Sequence, residues 1–335
     1  MLALATVGFA VNFWAWALLS PLGPGFKLVL HLSSFEQAVL VAVPVVVGSV
    51  GRIPVGALTD RYGGRVMFPL ISFATVVPVL YLGLAGHTSL TGLLVGGFFL
   101  GIGGTAFAVG VPFVNAWFPP ERRGLAVGVF GAGMGGTAIS ALTTVRLTDA
   151  GSTSTPFLVT AAVLVAYGVL AAMVLRDPPG GSTQPTPFLT RLASVARLPI
   201  TWQASLLYAV GFGGYVAFSV YLPTYLKSSY ALTPADAANR MAGFVLVAVA
   251  LRPVGGWLSD RLDPIRVLGL AFGTVVLMAL VQAATPGLVP VGTIAFLIMA
   301  AALGAASGAV FALVAQRAPA DRVGAVTGIV GAAGG

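Results

Sequence analysis

The sequence predicts an all-α integral membrane protein built from two related six-helix bundles, the second of them cut short. Three observations predict it. Of 335 residues, 58% are hydrophobic and only 8% charged, against about a quarter charged in a soluble domain whose surface meets water. Apolar runs of roughly 20 residues, the length of helix that crosses a hydrocarbon core, recur along the chain. Finally, one stretch of the chain repeats another at a constant offset of 200 residues.

The apolar runs place spans near 2–25, 37–58, 66–86, 90–115, 124–145, 156–175, 201–226, 240–258, 267–285, 290–315 and 324–335. The first has no positive n-region and is too long for a signal peptide, so a retained helix is expected. The last stops about halfway through a helix, and the second bundle is expected to lack the end of helix 11 and all of helix 12. Residues 176–199 are rich in Pro, Gly, Ser and Thr and read as a linker. The expected organisation is an N-terminal bundle over 1–175, a cytoplasmic linker over 176–200 and a C-terminal bundle over 201–335.

Orientation follows from the basic residues. Loops after even-numbered spans carry Arg61, Arg65, Arg122, Arg123, Arg176, Arg191, Arg197, Arg261, Arg266, Arg317 and Arg322, whereas loops after odd spans carry only Lys27, Arg146, Lys227 and Arg240. That bias predicts a multi-pass protein of the plasma (inner) membrane with a cytoplasmic N-terminus. The net charge of +8 is scattered over short loops, so the lipid bilayer and not nucleic acid is the expected partner. Cysteine is absent, which removes disulfides and thiolate metal sites. No nucleophile, His/Asp cluster or metal-ligand spacing supports an enzyme, a cofactor or a metal, and a monomer is expected to be the functional unit. His31 and His87 fall in or near loops and read as solvated.

The repeat is specific. Arg52-Ile-Pro-Val-Gly56-Ala-Leu58-Thr-Asp60-Arg61 matches Arg252-Pro-Val-Gly-Gly256-Trp-Leu258-Ser-Asp260-Arg261 at five of ten positions. The same offset relates Pro119, Arg122 and Gly124 to Pro319, Arg322 and Gly324, and Gly128, Gly131 and Ala132 to Gly328, Gly331 and Ala332. Parallel six-span halves facing one another across a path are a transporter plan.

At these residues the chain resembles the major facilitator superfamily. Gly56-Ala-Leu-Thr-Asp60-Arg61-Tyr-Gly63-Gly-Arg65 matches that family's loop motif after the second span, G-x-x-x-D-R-x-G-R-R, apart from Gly64. The resemblance implies twelve helices, alternating access, and a gating role for Gly56, Asp60, Arg61 and Arg65 with their repeats Asp260 and Arg261. Locally, a glycine permits close helix approach, and an aspartate at a helix end can pair with a base or with a neighbouring helix N-terminus. A plain topological stop signal is the alternative.

Arg52 and Arg252 are the two charges that fall well inside spans, Arg52 about 9 Å from the expected helix end at 1.5 Å per residue. A buried arginine costs at least about 2.5–3.5 kcal/mol on insertion scales, so each needs a compensating partner. No Asp, Glu, Lys or His lies at that depth. The arginines can snorkel, be satisfied by backbone carbonyls and hydroxyls, or bind an anion. Their matched positions in both halves favour an anion, and the planar fork of guanidinium suits a small planar oxyanion. Without a titratable partner, the two charges repel, so closure is expected mainly with an anion bound, which predicts obligatory exchange.

A closer resemblance is to the nitrate/nitrite porter family. It rests on Gly51-Arg52-Ile-Pro54, Arg252-Pro253, Trp117-Phe118-Pro119 with Arg123-Gly124, the span-7 run from Ser205 to Phe218, and glycine-rich stretches over 128–136 and 328–335. It implies a nitrate or nitrite site at Arg52 and Arg252 with Tyr208, Phe212, Gly133, Met134 and Gly331. Tyr208 and Phe212 are four apart and share a helix face; Asn12, Phe13 and Trp16 are weaker candidates, and Asn115 reads as a helix-end hydrogen bonder. Met134 stands where the family pattern has Asn, replacing an amide donor by a thioether. The alternatives are an exporter of another small organic anion or drug, and an anion sensor that does not transport.

Overall fold

The computed structural model describes residues 1–178, 188–232 and 234–334, and every regular element among them is helical. In chain order these are α1 (Leu2–Trp16), α2 (Leu19–Val29), α3 (Ser34–Tyr62), α4 (Gly64–Leu84), α5 (Leu90–Leu100), α6 (Ala106–Trp117), α7 (Arg123–Gly131) and α8 (Gly136–Ala150). There follow α9 (Thr155–Val174), α10 (Phe188–Ala196), α11 (Pro199–Tyr230), α12 (Pro234–Leu262), α13 (Pro264–Ala283), α14 (Thr293–Arg317) and α15 (Val323–Gly334). Nine segments among the described residues are long and apolar enough to cross a membrane. The 32 residues of α11 reach about 48 Å at 1.5 Å per residue, also ample for a crossing. Large apolar side chains such as Leu28, Phe35, Val77 and Leu206 stand exposed on the outside, the arrangement expected where the solvent is lipid.

Three expected spans are interrupted. Pro21 lacks the N–H that would bond the Ala17 carbonyl, and the chain tightens there, with Ser20 N–H donating to Ala17 instead (3.2 Å). Glycine-rich 3₁₀ turns at Gly101–Thr105 and Ala132–Gly135 join α5 to α6 and α7 to α8. Such turns inside a helix recur at functional hinges, and both lie beside the arginines discussed below. The linker is also partly structured: α10 forms within it, Val195 is buried in the core, and the Val195 and Ala196 carbonyls accept from the Thr201 hydroxyl and Trp202 Nε1 (both 2.7 Å). Linker residues 179–187 and Gly335 lie outside the described residues. His31 is exposed as expected, whereas His87 is half-buried, its Nδ1 2.7 Å from the Leu82 carbonyl.

Helix ends follow local chemistry. Ser33 and Glu36 form a reciprocal capping box at the start of α3 (3.2 and 2.8 Å), satisfying two N–H groups that the first turn leaves free. Between α3 and α4 the backbone passes through positive φ at Gly63 (77°). Asp263, its counterpart 200 residues on, does the same between α12 and α13 (79°), its carboxylate accepting from Ile265 N–H (2.8 Å). The repeat thus extends to backbone conformation at a position where the residue type differs.

The offset also relates two helix crossings. α3 packs on α15, and α12 packs on α7. A Cβ on Gly56 would overlap the Gly324 carbonyl, and one on Gly124 the Gly256 carbonyl, so these helices touch through backbone. Around the crossings runs one continuous core that includes Phe9, Phe13, Phe107 and Phe130 from the first half with Tyr208, Phe212 and Phe311 from the second. Tight packing between α12 and α14 can be tested directly. A side chain at Gly304 would run into the Ala248 backbone, whereas Gly243 meets nothing within 4 Å. Gly304→Val is expected to destabilise the purified protein by about 1–3 kcal/mol through overpacking, lowering its thermal midpoint in detergent, while Gly243→Ala keeps or raises the midpoint, alanine being the better helix former. Equal midpoints for the two variants would contradict this packing.

Candidate functional site

Among the described residues the only buried charged side chains are Arg52 and Arg252, at 2% and 3% exposure. Helices α3 and α12 run on past the expected span ends to Tyr62 and Leu262. Each arginine is ten residues from the end of its helix, Arg52 from Tyr62 and Arg252 from Leu262, about 15 Å along the axis at 1.5 Å per residue.

Partners for the two guanidiniums come from the tightened turns and from the opposite half of the chain. Arg52 Nε donates to the Gly104 carbonyl (3.1 Å) and its Nη1 to the Gly331 carbonyl (2.7 Å). Arg252 Nη1 donates to the Met134 thioether, and its Nε has no hydrogen-bond partner. Guanidinium has five N–H donors, so Arg52 spends two on carbonyls whereas Arg252 has one weak acceptor. The two sites are therefore alike in position and unlike in saturation. Beside Arg252 is a small pocket of about 10 Å³, bordered by Met134, Tyr215, Ala248 and Ser307, room for about one water-sized probe.

Aromatic rings fill the space between the arginines. The Phe107 ring lies 5.9 Å from each guanidinium carbon, and Phe13 lies 6.0 Å from that of Arg52. Tyr208 is parallel to Phe107 (2°, centroids 6.5 Å apart), and Phe311 stands edge-on to both at 4.6 and 4.7 Å. Phe212 continues the stack behind Tyr208 (5.1 Å, 5°). Cations over ring faces gain electrostatic attraction, so Phe107 helps hold both charges at this depth.

The structure thus brings Arg52, Arg252, Tyr208, Phe212, Met134 and Gly331 together, with Phe13 at the edge. Gly331 takes part through its carbonyl. Gly133 does not join them: a Cβ there would meet Phe9 and the Thr6 carbonyl, which makes it a packing position against α1. Asn12 is a structural donor to Ser72 (2.9 Å) and the Gly8 carbonyl (2.8 Å), and Trp16 donates to the Pro44 carbonyl (2.8 Å). Asn115 is buried with no partner for its Oδ1. Sequence reading missed Phe107, Gly104 and Phe311. Only the glycine-rich run before Phe107 hinted at the first two.

At one end of the molecule two carboxylates tie the halves together. Gly324 and Ala325 N–H donate to Asp60 (both 2.8 Å), and Gly124 and Leu125 N–H donate to Asp260 (both 2.7 Å). Each aspartate thus caps the N-terminus of a helix in the other half, where free N–H groups and the helix dipole favour negative charge. Arg61 and Arg261 lie over Tyr62 (5.1 Å) and Trp257 (4.4 Å). The backbone N–H of Arg65 donates to Asp177 (3.0 Å), tying the start of α4 to the segment after α9.

Comparison with known proteins agrees with this architecture. A family model described as Major Facilitator Superfamily matches residues 5–335. "Probable nitrate/nitrite transporter NarK2" of Mycobacterium tuberculosis is 49% identical over 335 residues, covering 100% of this chain and 85% of the relative. "Nitrite extrusion protein" of Bacillus subtilis is 36% identical over 339 residues, covering 100% and 83%. Among solved structures, FucP in the outward conformation matches with a TM-score of 0.77 at 20% identity, covering 99% of this chain and 89% of that one.

The two ties make a prediction of their own. Thr327 is fully buried, one turn beyond the Asp60 cap, and the chain has no native cysteine. In a Thr327→Cys background, Asp60→Asn or Asp260→Asn removes a charged hydrogen-bond acceptor worth about 1.5–3 kcal/mol. Thiol labelling of Cys at 327 is expected to quicken by about tenfold or more, and further in the double variant. An unchanged rate in all three would show that the carboxylates do not hold this end closed.

Proposed function

The chain belongs to the Major Facilitator Superfamily, and on that premise we propose that it is a secondary active transporter carrying nitrate, nitrite or both across the plasma membrane by alternating access. In this reading residues 1–175 and 201–335 move as two bundles, the N-terminus is cytoplasmic, and the Asp60 and Asp260 ties form the cytoplasmic gate. The relatives' printed names supply the substrate class. The observation that carries the reading is the place of Phe107, equidistant from two membrane-buried guanidiniums and parallel to Tyr208.

A planar ion between two parallel rings needs two carbon-type contacts of about 3.5 Å each. The Phe107 and Tyr208 ring centroids are 6.5 Å apart, so a flat, four-atom anion needs the slot between them to widen. Phe311 closes one side of it. The guanidiniums supply charge and paired N–H donors in the plane of the ion, and the rings exclude water, which strengthens those bonds. Met134 is the soft acceptor that the anion displaces from Arg252. Because Arg52 and Arg252 belong to opposite halves, an anion shared between them draws the bundles together at mid-depth.

Among the described residues no carboxylate, histidine or lysine is buried in the spans, and proton relays in pumps commonly use such groups. The reading therefore includes obligatory exchange of one anion for another. Efflux of labelled nitrate from proteoliposomes is expected to run at least about tenfold faster into nitrate or nitrite than into anion-free buffer; equal rates would remove exchange. Counterflow with nitrate, nitrite and a small organic carboxylate tests the substrate class. Arg52→Lys and Arg252→Lys keep the charge but lose the planar fork, and each is expected to lower nitrate counterflow by about tenfold or more, the scale of a lost charge-assisted hydrogen bond. Full activity in both variants, or faster counterflow of the carboxylate, would sink the reading.

A further inference from the structure

The helix inside the linker touches both halves of the chain. α10 packs on α11 and α15 of the second half and on α3 of the first. Two of these partners, α3 and α15, are the helices whose crossing carries the Asp60 tie. Along α10, Leu192 and Val195 are three apart and share a face. Val195 is fully buried and Leu192 packs against the same core, whereas Thr190 and Ala193 stand exposed. An amphipathic helix resting on a bilayer turns its apolar face to lipid. Here the protein itself covers that face.

The mounting of α10 decides which half it moves with. The last carbonyls of a helix have no partner within it, and those of α10 are taken by the first turn of α11. The Thr201 hydroxyl donates to the Val195 carbonyl and Trp202 Nε1 to that of Ala196, both at 2.7 Å. Leu198 N–H also donates to the Val195 carbonyl (3.1 Å), and Pro199 opens α11 with its φ already fixed. The corner between α10 and α11 is thus braced by three hydrogen bonds. α10 therefore moves with the second half, and its contact with α3 is a noncovalent contact between halves. α3 is held from two directions: α15 offers N–H groups to Asp60, and α10 packs on it.

We propose that α10 is a strap, which is mounted on the second half, grips α3 of the first and holds the Asp60 crossing closed. Its detachment favours opening at this face. Val195 is a positioning residue that seats the strap and does not touch the solute. The strap and the tie contribute differently. Water can replace the hydrogen bonds of a carboxylate as the halves part, but it cannot replace buried apolar contact. The proposal rests on the alternating-access reading only in that this face opens, and it does not depend on which solute is carried.

The test is thiol labelling at a site remote from the strap. Thr327 lies on α15, which α10 itself touches, so uncovering there would be ambiguous. Val127, its counterpart on α7 at the Asp260 crossing, is buried at 2% exposure, and Val127→Cys supplies the reporter. In that background Val195→Asp is expected to quicken labelling by about tenfold or more. Thr201→Val, which loosens the corner without placing a charge, is expected to quicken it by about threefold. Leu164→Ala empties a fully buried position in a separate cluster of the first half and is expected to change the rate by less than about twofold. Size-exclusion profiles identify any variant that fails to fold, and Thr201→Val decides if Val195→Asp does. Labelling quickened by Asp60→Asn but by neither strap variant overturns the strap and leaves the gate standing. Labelling unchanged in all of these variants overturns both, and equal quickening by Leu164→Ala reduces the strap to general loosening and overturns it.

Discussion

Two positive charges buried within apolar helices, with no carboxylate buried beside them among the described residues, constrain everything around them. A guanidinium cannot shed its proton to escape, so the protein must solvate it with whatever a helical bundle offers. Here these are carbonyls tilted by glycine-rich turns, a thioether, and ring faces. Each is a weak or partial substitute for water. The result is a centre in which not every guanidinium donor is spent, Arg252 Nε having no partner. The glycine-rich turns, the aromatic stack and the long α3 and α12 that carry the arginines all serve this one requirement.

The internal repeat organises the same chemistry twice without making the two copies identical. Arg52 is anchored by two carbonyls, one of them from the other half. Arg252 meets Met134 and retains an unpartnered Nε. Gly331 and Gly131 occupy matching places, yet Arg252 bonds to the side chain three residues beyond Gly131 instead of to its carbonyl. A site built this way has a fixed wall and an adaptable one. The adaptable wall is where the Met134 thioether stands, and the arginine it touches, Arg252, is under-committed.

The arginines were legible in the sequence because a charge inside an apolar run has a large and visible cost. The ties were half legible: Asp60 and Asp260 stood at predicted helix ends, but their partners are backbone N–H groups at Gly324 and Gly124, which carry no side-chain signal. Phe107 was not legible, since one phenylalanine among twenty is distinguished only by what faces it. Gly133 misled because glycine serves close packing and ligand approach equally well, and here it packs against α1. The span ends were misjudged for a related reason. Hydropathy falls off before the hydrogen-bond ladder does, so α3 and α12 run on through charged residues to Tyr62 and Leu262. Helix α10 was hidden by the composition around it, because the polar stretch before it dominates the window.

The two aspartate caps act in parallel. Asp60 reaches from the first half to a helix of the second, and Asp260 reaches back. Any separation of the halves at this face must therefore release four N–H groups together, and loosening one cap leaves the other to draw the surfaces back. Mechanical fasteners arranged in this way fail abruptly and seldom part-way. The same arrangement is tolerant of damage: an inherited change at either aspartate removes one cap and leaves the two hydrogen bonds of the other in place.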